Sequence, residues 1–268
     1  MQLTMAALRE QPVPEGSLAV WWLGQAGFLI KSPGGALVAL DPYLSDSCGV
    51  ATESLGLDFH RRYPPLLSPA ELAGVDLYAV THSHQDHLDP ETLAGYRAAG
   101  GAGPYLAPPE AAEKLVSLGV PEGELTLIWP NKCHRLGDLT LRATLAVPFG
   151  GDDLTHVGYL ISAEGGPTLY FTGDTAYHEA IGISVAEHRP HVMFAVINGT
   201  FRNLSPAEAA RLAAQIGPAI VIPYHYDLFP DGQMPPQALR LNLMLHEMQD
   251  RYTTLTPGQP WLYARPAS

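Results

Sequence analysis

The sequence predicts an α/β protein, read as a single domain over residues 1–268, and three observations carry that expectation. Apolar runs recur at strand length, as in Leu18 to Leu23, Val75 to Val80 and Ala219 to Pro223. Between such runs lie stretches that open on helix-capping residues, Asp89-Pro90-Glu91 and Ser205-Pro206-Ala207-Glu208 among them. No linker rich in Gly, Ser or charge interrupts the chain.

Taken in order, the N-terminal residues read as a frayed start. Leu18 to Leu23 and Phe28 to Lys31 form two strands joined by the small-residue turn Gly24-Gln25-Ala26-Gly27, and Ala36 to Leu40 forms a third. That strand ends in Asp41-Pro42-Tyr43, where Asp41 is a turn-former by residue type. Ser45 to Pro65 lacks periodicity and reads as a long surface loop of the kind that covers a site. Within it, His60, Arg61 and Arg62 are either contacts for an anionic substrate or a solvated charge cluster. Ser68-x-x-Glu71 reads as the capping box of a short helix leading into the Val75 strand.

Pro108 to Leu118 has the pattern of an amphipathic helix stopped by Gly119. Strands are expected at Leu125 to Trp129, Leu139 to Val147, Val157 to Ser162 and Thr168 to Thr172, the last two joined by a Gly165-Gly166 turn. A helix from Ser205 to Ile216 precedes the Ala219 strand. The last helix begins at Pro235 or Pro236 and turns Leu239, Leu243, Leu245 and Met248 inward.

Composition narrows the functions available. The chain is 46% hydrophobic, enough to bury a large core, and carries a formal charge of −12 with only 15 Lys and Arg. That balance disfavours nucleic acid and anionic membranes as partners. Cys48 and Cys133 form no Cys-x-x-Cys pattern and read as free thiols of a reducing compartment. No run approaches the ~18 apolar residues of a membrane span, and the N-terminus lacks the pattern of a leader. The expectation is a cytoplasmic protein acting on a small-molecule substrate, with a homo-oligomer as the default assembly.

The chemistry concentrates between Thr81 and Asp89, Thr-His-Ser-His-Gln-Asp-His-Leu-Asp. His82 and His84 are two residues apart, so extended backbone directs both imidazoles to one side. Asp86 and His87 follow where the chain turns, so they reach a second ion beside the first. The Val75 strand before the cluster and the Asp89-capped helix after it would hold this loop from both ends.

This stretch resembles the signature loop of the metallo-β-lactamase superfamily, whose fold is a four-layer αββα sandwich. The resemblance implies one or two divalent metal ions, manganese or zinc, held by His82, His84, Asp86, His87 and ligands further along. It implies that Asp174, in the Gly-Asp that ends the Leu169 to Thr172 strand, bridges the ions, and that His225 is the last ligand. It also raises a second reading of Asp41, as a group behind the loop that orients a ligand. Many members carry a histidine after the strand that here ends Val147-Pro148-Phe149, where this chain has Gly150-Gly151-Asp152-Asp153. The open position is left to solvent, to Asp152 or Asp153, or to His156, which is equally readable as a strand-edge residue. A site poorer in histidine leans from zinc towards manganese.

That departure, with Gly158 to Tyr177 and Val221 to Leu228, resembles the L-ascorbate-6-phosphate lactonase branch. The resemblance implies a hydrolase in which a metal-activated hydroxide opens a small lactone, one carrying a phosphorylated sugar acid included, with Asp86, His87 and Asp174 as catalytic groups. The alternatives are a phosphodiesterase acting on nucleotides or on N-acylphosphatidylethanolamines, and a metal-binding member without activity. A phosphate on the substrate would need a cation, for which Arg202 and Lys132 are candidates, though both suit solvated surface positions. Tyr177 and Tyr226 flank ligands and either line the pocket or pack.

Overall fold

The computed structural model describes residues 3–148 and 153–265. The first strand, β1 (Ser17–Gly24), sends Leu18, Val20 and Trp22 into one apolar core and Ala19, Trp21 and Leu23 into another. A strand covered on both faces has no polar side, which is why this run reads as continuously apolar. β2 (Gly27–Lys31) and β3 (Leu37–Leu40) continue the sheet antiparallel. Pairing then turns parallel through β4 (Leu77–Ala79), β5 (Tyr105–Ala107) and β6 (Leu125–Leu127).

The second sheet begins with the antiparallel strands β7 (Cys133–Leu136), β8 (Leu139–Leu145), β9 (Val157–Ala163) and β10 (Thr168–Phe171). It ends with β11 (Val192–Val196) and β12 (Ile220–Tyr224), parallel to β10. β13 (Trp261–Ala264) returns to the first sheet beside β1, giving the orders β13-β1-β2-β3-β4-β5-β6 and β12-β11-β10-β9-β8-β7. The sheets pack face to face. Phe28 of β2 lies with ring centroids 5.0 Å from Phe171, 5.4 Å from Phe194 and 5.4 Å from Tyr224.

Helices close the sandwich on each side. α1 (Met5–Glu10), α3 (Pro90–Ala98) and α4 (Pro109–Ser117) set Leu8, Leu93, Tyr96, Ala111 and Leu115 against the outer face of the first sheet. α5 (Glu179–Ala186), α6 (Pro206–Ile216) and α7 (Gln237–Met244) bring Ile181, Val185, Ala209, Leu212, Leu239 and Leu243 to the second. The result is the four-layer αββα arrangement. α6 carries the expected capping box, Ser205 accepting from the Glu208 amide while Glu208 accepts from the Ser205 amide. No helix among the described residues is long and apolar enough to cross a membrane.

Several expectations are corrected. The N-terminus is helical rather than frayed because its end groups find partners: Lys31 Nζ donates to the carbonyls of Leu8 at 3.0 Å and Gln11 at 2.8 Å, and Arg9 pairs with Asp76 at 2.8 Å. Ser68 makes no capping bond. Glu71 instead accepts from the Met5 amide, so that pattern anchors α1, and Pro69–Gly74 forms a 3-10 turn. Ser45 to Pro65 is not all loop; it contains α2 (Ser47–Thr52) and a 3-10 turn, Glu53–Leu55. Leu245 falls beyond the end of α7 and is 79% exposed, rather than inward. β5, β7, α5, β11 and β13 had no counterpart in the sequence reading.

Gly158 marks where the sandwich tolerates least. A Cβ there would lie 2.6 Å from Thr144 Oγ1 and 2.7 Å from the backbone oxygens of Phe171 and Thr172. Gly158→Ala is expected to lower stability by roughly 1–3 kcal/mol, as overpacking does. Gly123→Ala, which meets nothing within 4 Å, should stay within about 0.5 kcal/mol. Urea denaturation checks both, and equal midpoints would refute the steric account.

Candidate metal centre

Strand ends from both sheets deliver the site. β3 runs into Asp41, β4 into Thr81 and His82, β10 into Gly173 and Asp174, and β12 into His225. Parallel strands place such ends together, where α/β folds hold ligands. At three of these ends the chain turns sharply: φ is 45° at Asp41, 63° at His225 and 63° at Gly173. Glycine is required before Asp174, since a Cβ at 173 would stand 2.4 Å from the Val157 carbonyl oxygen.

Behind the metal loop lies Asp41. Its carboxylate accepts from the Thr81 amide at 2.7 Å, from Thr81 Oγ1 at 2.6 Å and from His87 Nδ1 at 2.8 Å. The last bond leaves His87 Nε2 as the atom facing the site. Of its two readings, this geometry is that of a group behind the loop that holds His87. Asp89 caps α3 through the Glu91 amide at 3.1 Å and accepts from Ser47 Oγ at 2.8 Å, so the loop is held at its far end too. Asp153 accepts from the amides of Ser83 at 2.6 Å and Thr155 at 3.0 Å, which makes it a brace for the loop. Asp152, the other acid considered for the open position, lies outside the described residues, as does Gly151.

The side chains gather into three overlapping groups able to hold an ion: His82, His84 and His156; His82, His87 and Asp174; and Asp86, His87 and His225. The His82 and His156 rings are 3.9 Å apart, so His156 stands with the loop histidines and is more than a strand-edge residue. His156 Nδ1 donates to the Asp174 carbonyl oxygen at 3.0 Å, which turns Nε2 towards the group. That Nε2 and Asp174 Oδ1 are both buried with no hydrogen-bond partner. Buried polar atoms are normally satisfied, so two open lone-pair donors, each grouped with His82, fit a cation.

Electrostatics support the same use. Burial, then the neighbouring imidazoles, hold His82 well below the ordinary histidine pKa, so it stays a neutral donor. Burial lowers His156 likewise. Burial alone would raise Asp86 and Asp174, yet the adjacent His87 and His225 pull both below the usual carboxylate range. Burial disfavours charge on His87, but Asp86, Asp174 and Asp41 outweigh it and raise its pKa.

Two residues that the sequence reading missed hold the carboxylates. Asn203 Nδ2 donates to Asp174 Oδ2 at 2.6 Å, leaving Oδ1 to face His87 Nε2 at 3.4 Å and His225 Nε2 at 3.5 Å. Gln25 Nε2 donates to Asp86 Oδ2 at 2.9 Å and lies 3.0 Å from His225 Nε2. The only sequence signal for Gln25 was a long polar residue inside the small-residue turn Gly24-Gln25-Ala26-Gly27; the structure adds that it is buried at φ 48°.

The group opens into a cavity of about 380 Å³ lined by His84, Asp86, His156, Asp174, His225 and Tyr226, with α2 forming part of its wall. Other candidates are elsewhere. Lys132 is exposed, with its ammonium 4.8 Å from the Trp129 ring, and does not line the cavity. Arg202 is exposed between two lining residues, Phe201 and Asn203, without lining it itself. Tyr177 packs under Arg211, whose guanidinium lies 4.4 Å from its ring centroid. His60 pairs with Asp46 at 2.7 Å, and Arg61 and Arg62 donate to backbone carbonyls.

Comparison with known proteins agrees with this fold. Residues 19–225 match the family model of the beta-lactamase superfamily domain. A metal-dependent hydrolase of Myxococcus xanthus is 31% identical, over 84% of this chain and 76% of its own length. The probable L-ascorbate-6-phosphate lactonase UlaG of Escherichia coli O127:H6 is 26% identical, over 87% and 76%. Among solved structures, Igni18, a metallo hydrolase of Ignicoccus hospitalis, superposes with a TM-score of 0.71 at 18% identity, covering 93% of this chain and 99% of that one.

Asp41→Asn would set an amide NH₂ against the Thr81 hydroxyl and His87 Nδ1–H, both donors. Divalent-metal affinity is expected to fall about 10–100-fold, the usual effect of losing a ligand's support. Competition against a chelator measures it, and unchanged affinity would contradict the role assigned to Asp41.

Proposed function

The chain belongs to the beta-lactamase superfamily and is a metal-dependent hydrolase, and on that premise we propose that it opens the ring of a small lactone. The observation that carries the proposal is two unsatisfied buried lone-pair donors, His156 Nε2 and Asp174 Oδ1, on residues that line the cavity. Two ions would be held, one by His82, His84 and His156, the other by Asp86, His87 and His225, with Asp174 between them. This set of five imidazoles and two carboxylates removes the oxygen-rich argument for manganese, and suits zinc equally. The likeness to the Escherichia coli lactonase supports a lactone as the substrate class.

Divalent ions bound there would lower the pKa of water towards neutrality and polarise a carbonyl. The protein's part is placement and proton handling. Asn203 keeps Asp174 Oδ1 directed at the centre, and Asp41 holds the His87 ring in one orientation. Water adds to the lactone carbonyl carbon, and the ring C–O bond breaks as the tetrahedral intermediate collapses. Asp86 Oδ2, already an acceptor for Gln25, takes the proton released by the attacking water and passes it to the leaving alkoxide oxygen. The product is a hydroxy acid.

Metal-loaded protein assayed on a lactone panel and a phosphodiester panel tests the reading. Lactone opening should dominate and should fall at least about 10³-fold in Asp174→Ala and His225→Ala, the scale of a lost electrostatic contribution to catalysis. Phosphodiester cleavage with no lactone opening would overturn it.

A further inference from the structure

Besides the candidate ligands, the cavity is lined by a second, largely apolar set of residues. Its wall comes from two segments stitched together, Asp58 N donating to Asp231 Oδ2 at 2.8 Å and Arg62 N to the Leu228 oxygen at 2.9 Å. Phe59, Leu228 and Phe229 present apolar surface there, with Phe59 and Phe229 ring centroids 5.4 Å apart. Phe201 lines the same cavity while 58% exposed, and it is held at φ 50°, a backbone region costly for a bulky residue. Asp227 and Asp231 are the acids of this second set.

Among the described residues no Lys or Arg lines the cavity. The two arginines of the neighbouring segment are turned to backbone: Arg61 Nη1 donates to the Tyr43 oxygen at 2.8 Å and Arg62 Nη1 to the Asp227 oxygen at 3.3 Å. Divalent cations held by the ligand cluster would favour a carbonyl oxygen there. Asp227, Asp231 and the apolar wall would repel and desolvate an anion on the rest of the substrate.

We infer that the substrate is a lactone bearing an uncharged, apolar side chain, and that the site discriminates against lactones with a phosphate or carboxylate on that side chain. This rests on the lactone-opening reading. It sets the chain apart in substrate from a relative named as an L-ascorbate-6-phosphate lactonase.

The test uses metal-loaded full-length protein and a matched series: an unsubstituted γ-lactone, its n-alkyl homologues, and an alkyl homologue phosphorylated at the chain end. kcat/KM should rise roughly threefold per methylene over the first few carbons. It should fall tenfold or more, on the order of a screened charge repulsion, when the chain end is phosphorylated. Phe201→Lys, at an exposed position, should narrow that preference. A phosphorylated homologue turned over as well as the neutral one overturns the inference. If no lactone is opened, the lactone reading fails, and the inference is judged separately by calorimetric binding of the matching lactams. Tighter binding of the neutral lactam supports it, and equal or tighter binding of the phosphorylated one overturns it.

Discussion

One buried carboxylate, that of Asp41, holds the metal loop to the fold. It accepts from the Thr81 amide, the Thr81 hydroxyl and His87 Nδ1, so a single residue at the end of β3 fixes where the loop leaves β4 and which nitrogen of His87 faces the cavity. Its pKa is raised by burial even against those bonds. A carboxyl in such surroundings is costly to leave unpaired, and the loop supplies the partners. Asp89 at the far end of the loop and Asp153 from the β9 side complete the frame.

The convergence of strand ends then follows from backbone geometry. Strands from two sheets point their carboxyl ends at one place, but a side chain on an extended strand points across the sheet rather than off its end. Left-handed turns at Asp41, His225 and Gly173 swing the functional residues out of the strand direction and into the centre. Such conformations are disfavoured for residues other than glycine and persist where the surroundings hold them. At His225 the Gln25 carbonyl accepts the amide at 3.2 Å, and at Asp41 the Ala79 carbonyl does so at 3.0 Å.

Much of this was legible in the chain because the strongest signals are local. His82, His84, Asp86 and His87 lie within six residues, and Asp174 and His225 each close an apolar strand. The remaining parts were hidden because their role depends on distant partners. Gln25 meets Asp86 across 61 positions, and Asn203 meets Asp174 across 29. His156 was ambiguous in sequence because its role depends on the Asp174 carbonyl that orients its ring. β5 spans three residues and β11 is uniformly apolar, so neither shows a period. Lys132 and Arg202 were drawn from charge alone, which says nothing about which way a surface strand or loop faces.

We propose that His82, His84, His156, Asp86, His87, His225 and Asp174 together hold two divalent ions. Metal stoichiometry decides this, by elemental analysis of full-length protein reconstituted with zinc or manganese and freed of unbound ions. About two ions per chain are expected, as in two-metal hydrolytic sites, with one lost in His156→Ala. A chain that retains no metal after reconstitution, or a His156→Ala variant that retains the full complement with unchanged affinity, would contradict it.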